Sequence, residues 1–196
     1  MAGTQDITWS PLLRRLHFAL ALAVTLQLVL SLFMDPKGEG LKRGLFLIHE
    51  LDGLLVFACV VFHWLWLACG NDGGLPRLFP WLFSQGRQAI LEDLRGLLER
   101  KLPTGGPSMG LPALVEGIGL LLVTLQGTTG LIFWTSASVT GALPEALEPM
   151  VELHKLGGKL LWVFGIGHGG MALVHALLGD PAVRAISPFT WRSSAH

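Results

Sequence analysis

Four apolar stretches set the limits on what this chain can become. Residues 12–34, 45–69, 111–135 and 151–178 are each long enough, at a helical rise of roughly 1.5 Å per residue, to cross a hydrocarbon core of about 30 Å. With 51% of its 196 residues hydrophobic and only 14% charged, the chain is too apolar for a soluble domain of this size. Helices satisfy their own backbone polar groups in lipid, so the expected fold is all-α, an integral membrane four-helix bundle. Residues 1–196 read as one membrane domain, since no soluble domain, repeat or low-complexity tract is evident. The formal net charge is zero with histidine neutral, which removes the electrostatic case for nucleic acid.

Punctuation in the chain supports these spans. Ser10-Pro11 is a helix-start signal, and Asp35-Pro36-Lys37-Gly38 closes the first span. Arg14 and Arg15 ahead of an apolar run resemble a signal peptide, but the run continues to Met34 without a small-x-small cleavage pattern, so a retained first helix is expected. The short connection that follows makes the first two helices antiparallel neighbours. The long connection, residues 70–110, carries an amphipathic segment at 84–102. Ile90, Leu91, Leu94, Leu97, Leu98 and Leu102 fall on one face, with Arg87, Glu92, Asp93, Arg95, Glu99 and Lys101 mostly opposite. Such a helix lies on lipid headgroups or docks a partner subunit. Pro103 and Pro107 then reset the chain for the third span. Cys59 and Cys69 lack metal-ligand spacing and read as buried small side chains rather than a disulfide.

Basic residues give an orientation. Arg14, Arg15, Arg77, Arg87, Arg95, Arg100, Lys101, Arg184 and Arg192 lie on one side; Lys37, Lys42, Arg43, Lys155 and Lys159 lie on the other. The excess puts both termini and the long connection in the cytoplasm.

Six of seven histidines sit inside the apolar segments, where an ionisable group is costly and points to function. In the last span His154 and His168 are 14 residues apart, a step that returns to within roughly 40° of the same helical face about 21 Å further on. His175 follows seven residues later. Two imidazoles at two depths suit two haems, one per leaflet. By depth, His49 falls level with His154. His168 falls level with both His17 and His63, and spacing alone leaves that choice open. A helix with His-x13-His in both the second and fourth spans is the arrangement of the cytochrome b of respiratory bc complexes.

RRLHFALAL in the first span, IHELDG in the second and HKLGGKLLWVFGIGHGGMALVHALL in the fourth resemble the bacterial four-helix cytochrome b561 group. Its superfamily includes the membrane cytochrome b subunits of nickel-iron hydrogenases and the gamma subunits of formate dehydrogenases. The resemblance implies two haem b groups, with His17 pairing with His168 and His49 with His154. It also implies a bacterial inner-membrane location and exchange of electrons with a quinone. This chain departs from the family pattern at His63, where a basic residue, usually arginine, is common, and at His49-Glu50-Leu51. His63 is then a polar neighbour of the inner haem, a ligand displacing His17, or a core histidine. His175 is a propionate or quinone contact, or an interfacial residue whose tip reaches water.

Supporting residues fit this frame. Gly53 and Gly158 lie one turn after His49 and His154, where a missing side chain clears a porphyrin or lets helices pack closely. Arg14, Arg15, Lys155 and Lys159 are placed to pair with propionates or to anchor helix ends. The third span has no histidine and reads as a wall, with Glu116 and Gln126 as polar exceptions; Glu116 is placed for proton exchange with a quinone.

The expected function is a membrane electron relay between the quinone pool and a donor or partner subunit of hydrogenase or dehydrogenase type. A stand-alone superoxide:quinone oxidoreductase is the alternative. A metal transporter using the histidines directly is a third reading, opposed by the scarcity of intramembrane carboxylates and by ligand spacing too long for one coordination sphere.

Overall fold

The computed structural model describes residues 9–103, 110–140, 143–179 and 186–187. Arg184, Arg192, His196 and Pro107 lie outside these. The helices are α1 (Pro11–Ser31), α2 (Leu41–Ala68), α3 (Ser84–Leu98), α4 (Gly110–Thr140) and α5 (Glu148–Leu177). All but α3 are long and apolar enough to span a membrane, so the expected all-α membrane bundle is the fold found, and the protein is a multi-pass membrane protein.

Local chemistry places the boundaries. Pro11 opens α1 and the Ser10 hydroxyl accepts the Leu13 N–H at 3.3 Å. The sequence pattern runs α1 to Met34, but helix geometry ends at Ser31. The N–H groups of Phe33 and Met34 fold back onto Leu30 in a terminal turn before Pro36. α2 begins four residues earlier than the hydropathy suggests, because Gly40 at φ 56° lets the chain reverse directly into the helix. α3 stops at Leu98 rather than 102. The N–H of Lys101 bonds Gly96 O and that of Arg100 bonds Leu97 O, with Arg100 in the left-handed region at φ 59°. This is a Schellman closure with arginine in the usual glycine position.

Around the bundle α1 packs on α2, α2 on α4 and α4 on α5, while α1 meets α5 only sparsely. Small residues set the close approaches. A Cβ at Gly127 would come within 2.8 Å of the Phe57 ring, and one at Gly119 would overlap Phe164. The lateral surface is rich in exposed Leu, Val, Ile and Phe, as lipid contact requires.

The long connection between α2 and α4 is built rather than loose. Three 3-10 turns (Asn71–Gly73, Leu75–Leu78, Pro80–Leu82) precede α3. Leu78 is fully buried in a core cluster with Val60, Leu67 and Leu120, flanked by Trp64 and Phe79. Gly117 makes room for it, since a Cβ there would overlap the Leu78 carbonyl oxygen. Asp93 of α3 accepts the Leu111 N–H at 2.8 Å and so caps the start of α4. In α3 Ile90 is buried, while Leu91, Leu94 and Leu98 remain exposed. Cys59 and Cys69 are free thiols, as expected, but neither is buried: Cys59 is half-buried on α2 and Cys69, just past the end of α2, is exposed.

Candidate cofactor site

Four of the membrane imidazoles face each other in two pairs, with α5 contributing one member of each. Toward the face that carries the long connection, His17 of α1 meets His168 with ring centroids 6.0 Å apart and planes inclined by 58°. Toward the opposite face, His49 of α2 meets His154 at 6.5 Å with planes at 83°. Aromatic rings bound both pairs. Trp9 lies 5.3 Å from His17, and Phe164 stacks on His168 at 12°. Phe46 stacks on His49 at 19°, and Phe133 presents its edge to His154 at 5.5 Å. The 14-residue step in α5 separates the two levels by about 21 Å.

Glutamines grip the backbone of the far-face pair. Gln27 of α1 donates from Nε2 to the His49 carbonyl at 2.7 Å, and Gln126 of α4 donates to the His154 carbonyl at 3.0 Å. A glycine lies beside each contact, and the one at Gly157 is required for it. Gly53 lies against Gln27, and a Cβ at Gly157 would occupy the position of the Gln126 amide. Gly158, by contrast, opens on empty space within 4 Å. Thr129, 4% exposed, places its hydroxyl 2.6 Å from His154 Nδ1.

A third group of polar residues lies near the loop-face pair. Arg77, on a 3-10 turn of the long connection, buries its guanidinium and donates to Glu116 at 2.6 Å. His63 faces the same carboxylate oxygen at 3.9 Å. Arg77 also lies over the Trp9 ring, 5.7 Å from its centroid, which links this cluster to His17. Both His63 nitrogens, Arg77 Nε and Nη1, and Glu116 Oε2 are buried without a hydrogen-bond partner, so the cluster has spare capacity for a ligand or ordered water.

Just outside the spans, Asp72 accepts from the Ser10 N–H and hydroxyl, both at 2.8 Å, and from the Trp66 indole at 2.7 Å. Burial alone would raise this carboxyl. The bonds from Trp66 and Ser10 together with the charge of Arg77 outweigh that and hold it below the ordinary carboxylate range.

The remaining cations are dispersed. Arg14 is half-buried with Nε unpartnered, and Arg15 is exposed. Lys155 pairs with Glu152 at 2.7 Å on the surface, Lys159 is exposed, and His175 sits half-buried near the end of α5. Among the described residues no group of three or more His, Cys, Asp or Glu converges as a bare metal site.

Trp9, Gln27, Thr129 and Asp72 have no role in the sequence reading, and Arg77 enters it only as one of the counted flanking charges. The signal for Arg77 was present: an arginine inside the apolar run LPRLFPW is out of place unless it is buried against a carboxylate.

Over residues 8–188 the sequence matches the family described as prokaryotic cytochrome b561. No curated protein and no solved structure matches it.

Proposed function

The chain belongs to the prokaryotic cytochrome b561 family, whose members carry out b-type haem electron transfer in membranes, and from that premise we propose that this protein is a dihaem cytochrome. In this reading it relays electrons across the bacterial inner membrane between a donor or partner subunit and the quinone pool. His17 and His168 hold one haem b, and His49 and His154 hold the other.

The observation that carries this is the separation within each imidazole pair. Two imidazoles that would hold one metal between them, each by a bond of about 2 Å with about 1 Å more from nitrogen to ring centre, would sit roughly 6 Å apart centre to centre. The separations of 6.0 and 6.5 Å fit such a site twice over. The donor chemistry agrees, since neutral imidazoles in an apolar bundle are strong axial ligands and poor residents otherwise. When bound, the haem supplies one-electron iron chemistry, which the axial ligands and burial tune.

The protein's own contribution is to orient and insulate. The glutamines fix the two far-face histidine backbones, and aromatic rings border both pairs. His63, turned to Glu116, acts as a polar neighbour of the loop-face site rather than as a ligand. Glu116 and His63 are groups suited to exchanging a proton when a quinone is reduced or oxidised nearby. Both termini, the long connection and this cluster lie on the cytoplasmic side, following the bias of basic residues.

Reduced-minus-oxidised spectra of single variants test the ligand scheme. His49→Ala and His154→Ala should each abolish the same spectral component. Retention of two full components in either variant overturns that pairing.

A further inference from the structure

We propose that Thr129 is the residue that fixes the His154 ring and sets the far-face haem apart from its partner; this rests on the reading of His49 and His154 as an axial pair. The Thr129 hydroxyl lies 2.8 Å from the Leu125 carbonyl and 3.1 Å from the Gln126 carbonyl. Neither carbonyl has a proton to give, so the single hydroxyl proton is directed to them. With the hydroxyl proton on these carbonyls, a lone pair faces His154 Nδ1 at 2.6 Å, an arrangement that fits Nδ1 as the donor. The neutral ring then carries its proton on Nδ1 and its lone pair on Nε2, ready for a metal.

One stripe of α4 is devoted to this histidine. Gln126, Thr129, Gly130 and Phe133 follow the i, i+3, i+4, i+7 pattern of a single helix face. Gln126 holds the His154 carbonyl, Thr129 holds the ring nitrogen, and Phe133 backs the ring. Gly130 lies beside the ring, where a Cβ would sit at ordinary contact distance, 3.8 Å from Cε1. Backbone and ring are thus gripped separately, which leaves the imidazole little freedom to rotate away from its 83° setting against His49.

The other three imidazoles lack this device among the described residues. His49 Nδ1 is buried without a partner, and His17 and His168 are bounded by Trp9 and Phe164. A ligand that donates an N–H becomes a more basic axial donor, which favours ferric over ferrous iron. Thr129 accordingly lowers the potential of the far-face haem and holds its ligand planes near perpendicular.

The test compares Thr129→Val with Thr129→Ser in the full-length protein, by haem content, redox potentiometry and low-temperature EPR. Valine keeps the volume and removes the hydroxyl; serine keeps the hydroxyl. The expected result is that Thr129→Val shifts one of the two potentiometric components upward and changes the large-gmax ferric signal of near-perpendicular ligand planes. Thr129→Ser should match the parent protein. Loss of one haem in Thr129→Val alone would also support a hold exerted through the hydroxyl. Two haems with unchanged potentials and EPR in both variants would overturn the role of Thr129 while leaving the ligand scheme intact. Equal shifts in both variants would overturn it too, by removing the hydroxyl as the cause. A parent protein without haem would sink the functional reading itself.

Discussion

At the scale of single residues, the scheme separates two histidines that sequence spacing treats as equals. His17 faces His168 across 6.0 Å, whereas His63 faces Glu116. His17→Ala should therefore remove the loop-face haem, and His63→Ala should leave it bound, read from the reduced-minus-oxidised spectrum; the reverse pattern would move the ligand to α2. Gly157→Ala should push the Gln126 amide off the His154 carbonyl, because the new Cβ occupies its position. One lost hydrogen bond predicts a loss of about 1 kcal/mol, visible as a lower melting temperature in detergent. The histidines were legible in the sequence because an ionisable side chain in an apolar run is conspicuous. The residues holding them were not. Thr129 and Gln27 are ordinary polar residues of a helix interior until the neighbouring helix arrives, and only that contact gives them a task. Gly157 likewise carries no signal in the sequence, although it accommodates the Gln126 amide.

At the scale of elements, the long connection is where the sequence said least. Outside the amphipathic segment its residues carry no assigned role in the sequence, yet Leu78 is a fully buried core residue and Arg77 is an interior cation. Short 3-10 turns have no hydrophobic period to betray them, so their packing is invisible before the helices they cover are in place. Substitution of Gly117 by Ala should force Leu78 away from α4, lowering stability by about 1–3 kcal/mol as overpacking does. Asp72 ties this connection to the start of α1. Asp72→Asn should weaken bonds to Ser10 and Trp66, at about 1–3 kcal/mol near neutral pH. The carboxyl is depressed in the folded protein, so its contribution is fully present above the unfolded value of about 3.9 and fades as pH falls through the lower folded value. Melting curves of parent and variant should converge below about pH 4 and separate above it. Helix ends, by comparison, were misplaced only by a few residues. The causes were a terminal turn at Phe33–Met34, an early reversal at Gly40 and the closure at Arg100, none of which alters hydropathy.

For the whole molecule, four apolar spans fixed the architecture, and the order of helices around the bundle leaves α1 and α5 only sparsely in contact, where His17 and His168 meet. The proposed orientation predicts that a single cysteine at Glu39, between α1 and α2, is labelled by an impermeant reagent from outside intact cells, in a background without Cys59 and Cys69. A cysteine at Arg95 in α3 should react only after lysis; the opposite pattern inverts the topology. The central claim is that this one small bundle holds two haems in two imidazole pairs. The most direct measurement is a pyridine haemochrome spectrum of the purified protein with haem counted per chain. Two b-type haems per chain are expected, and a folded protein that carries one or none would rule the dihaem scheme out.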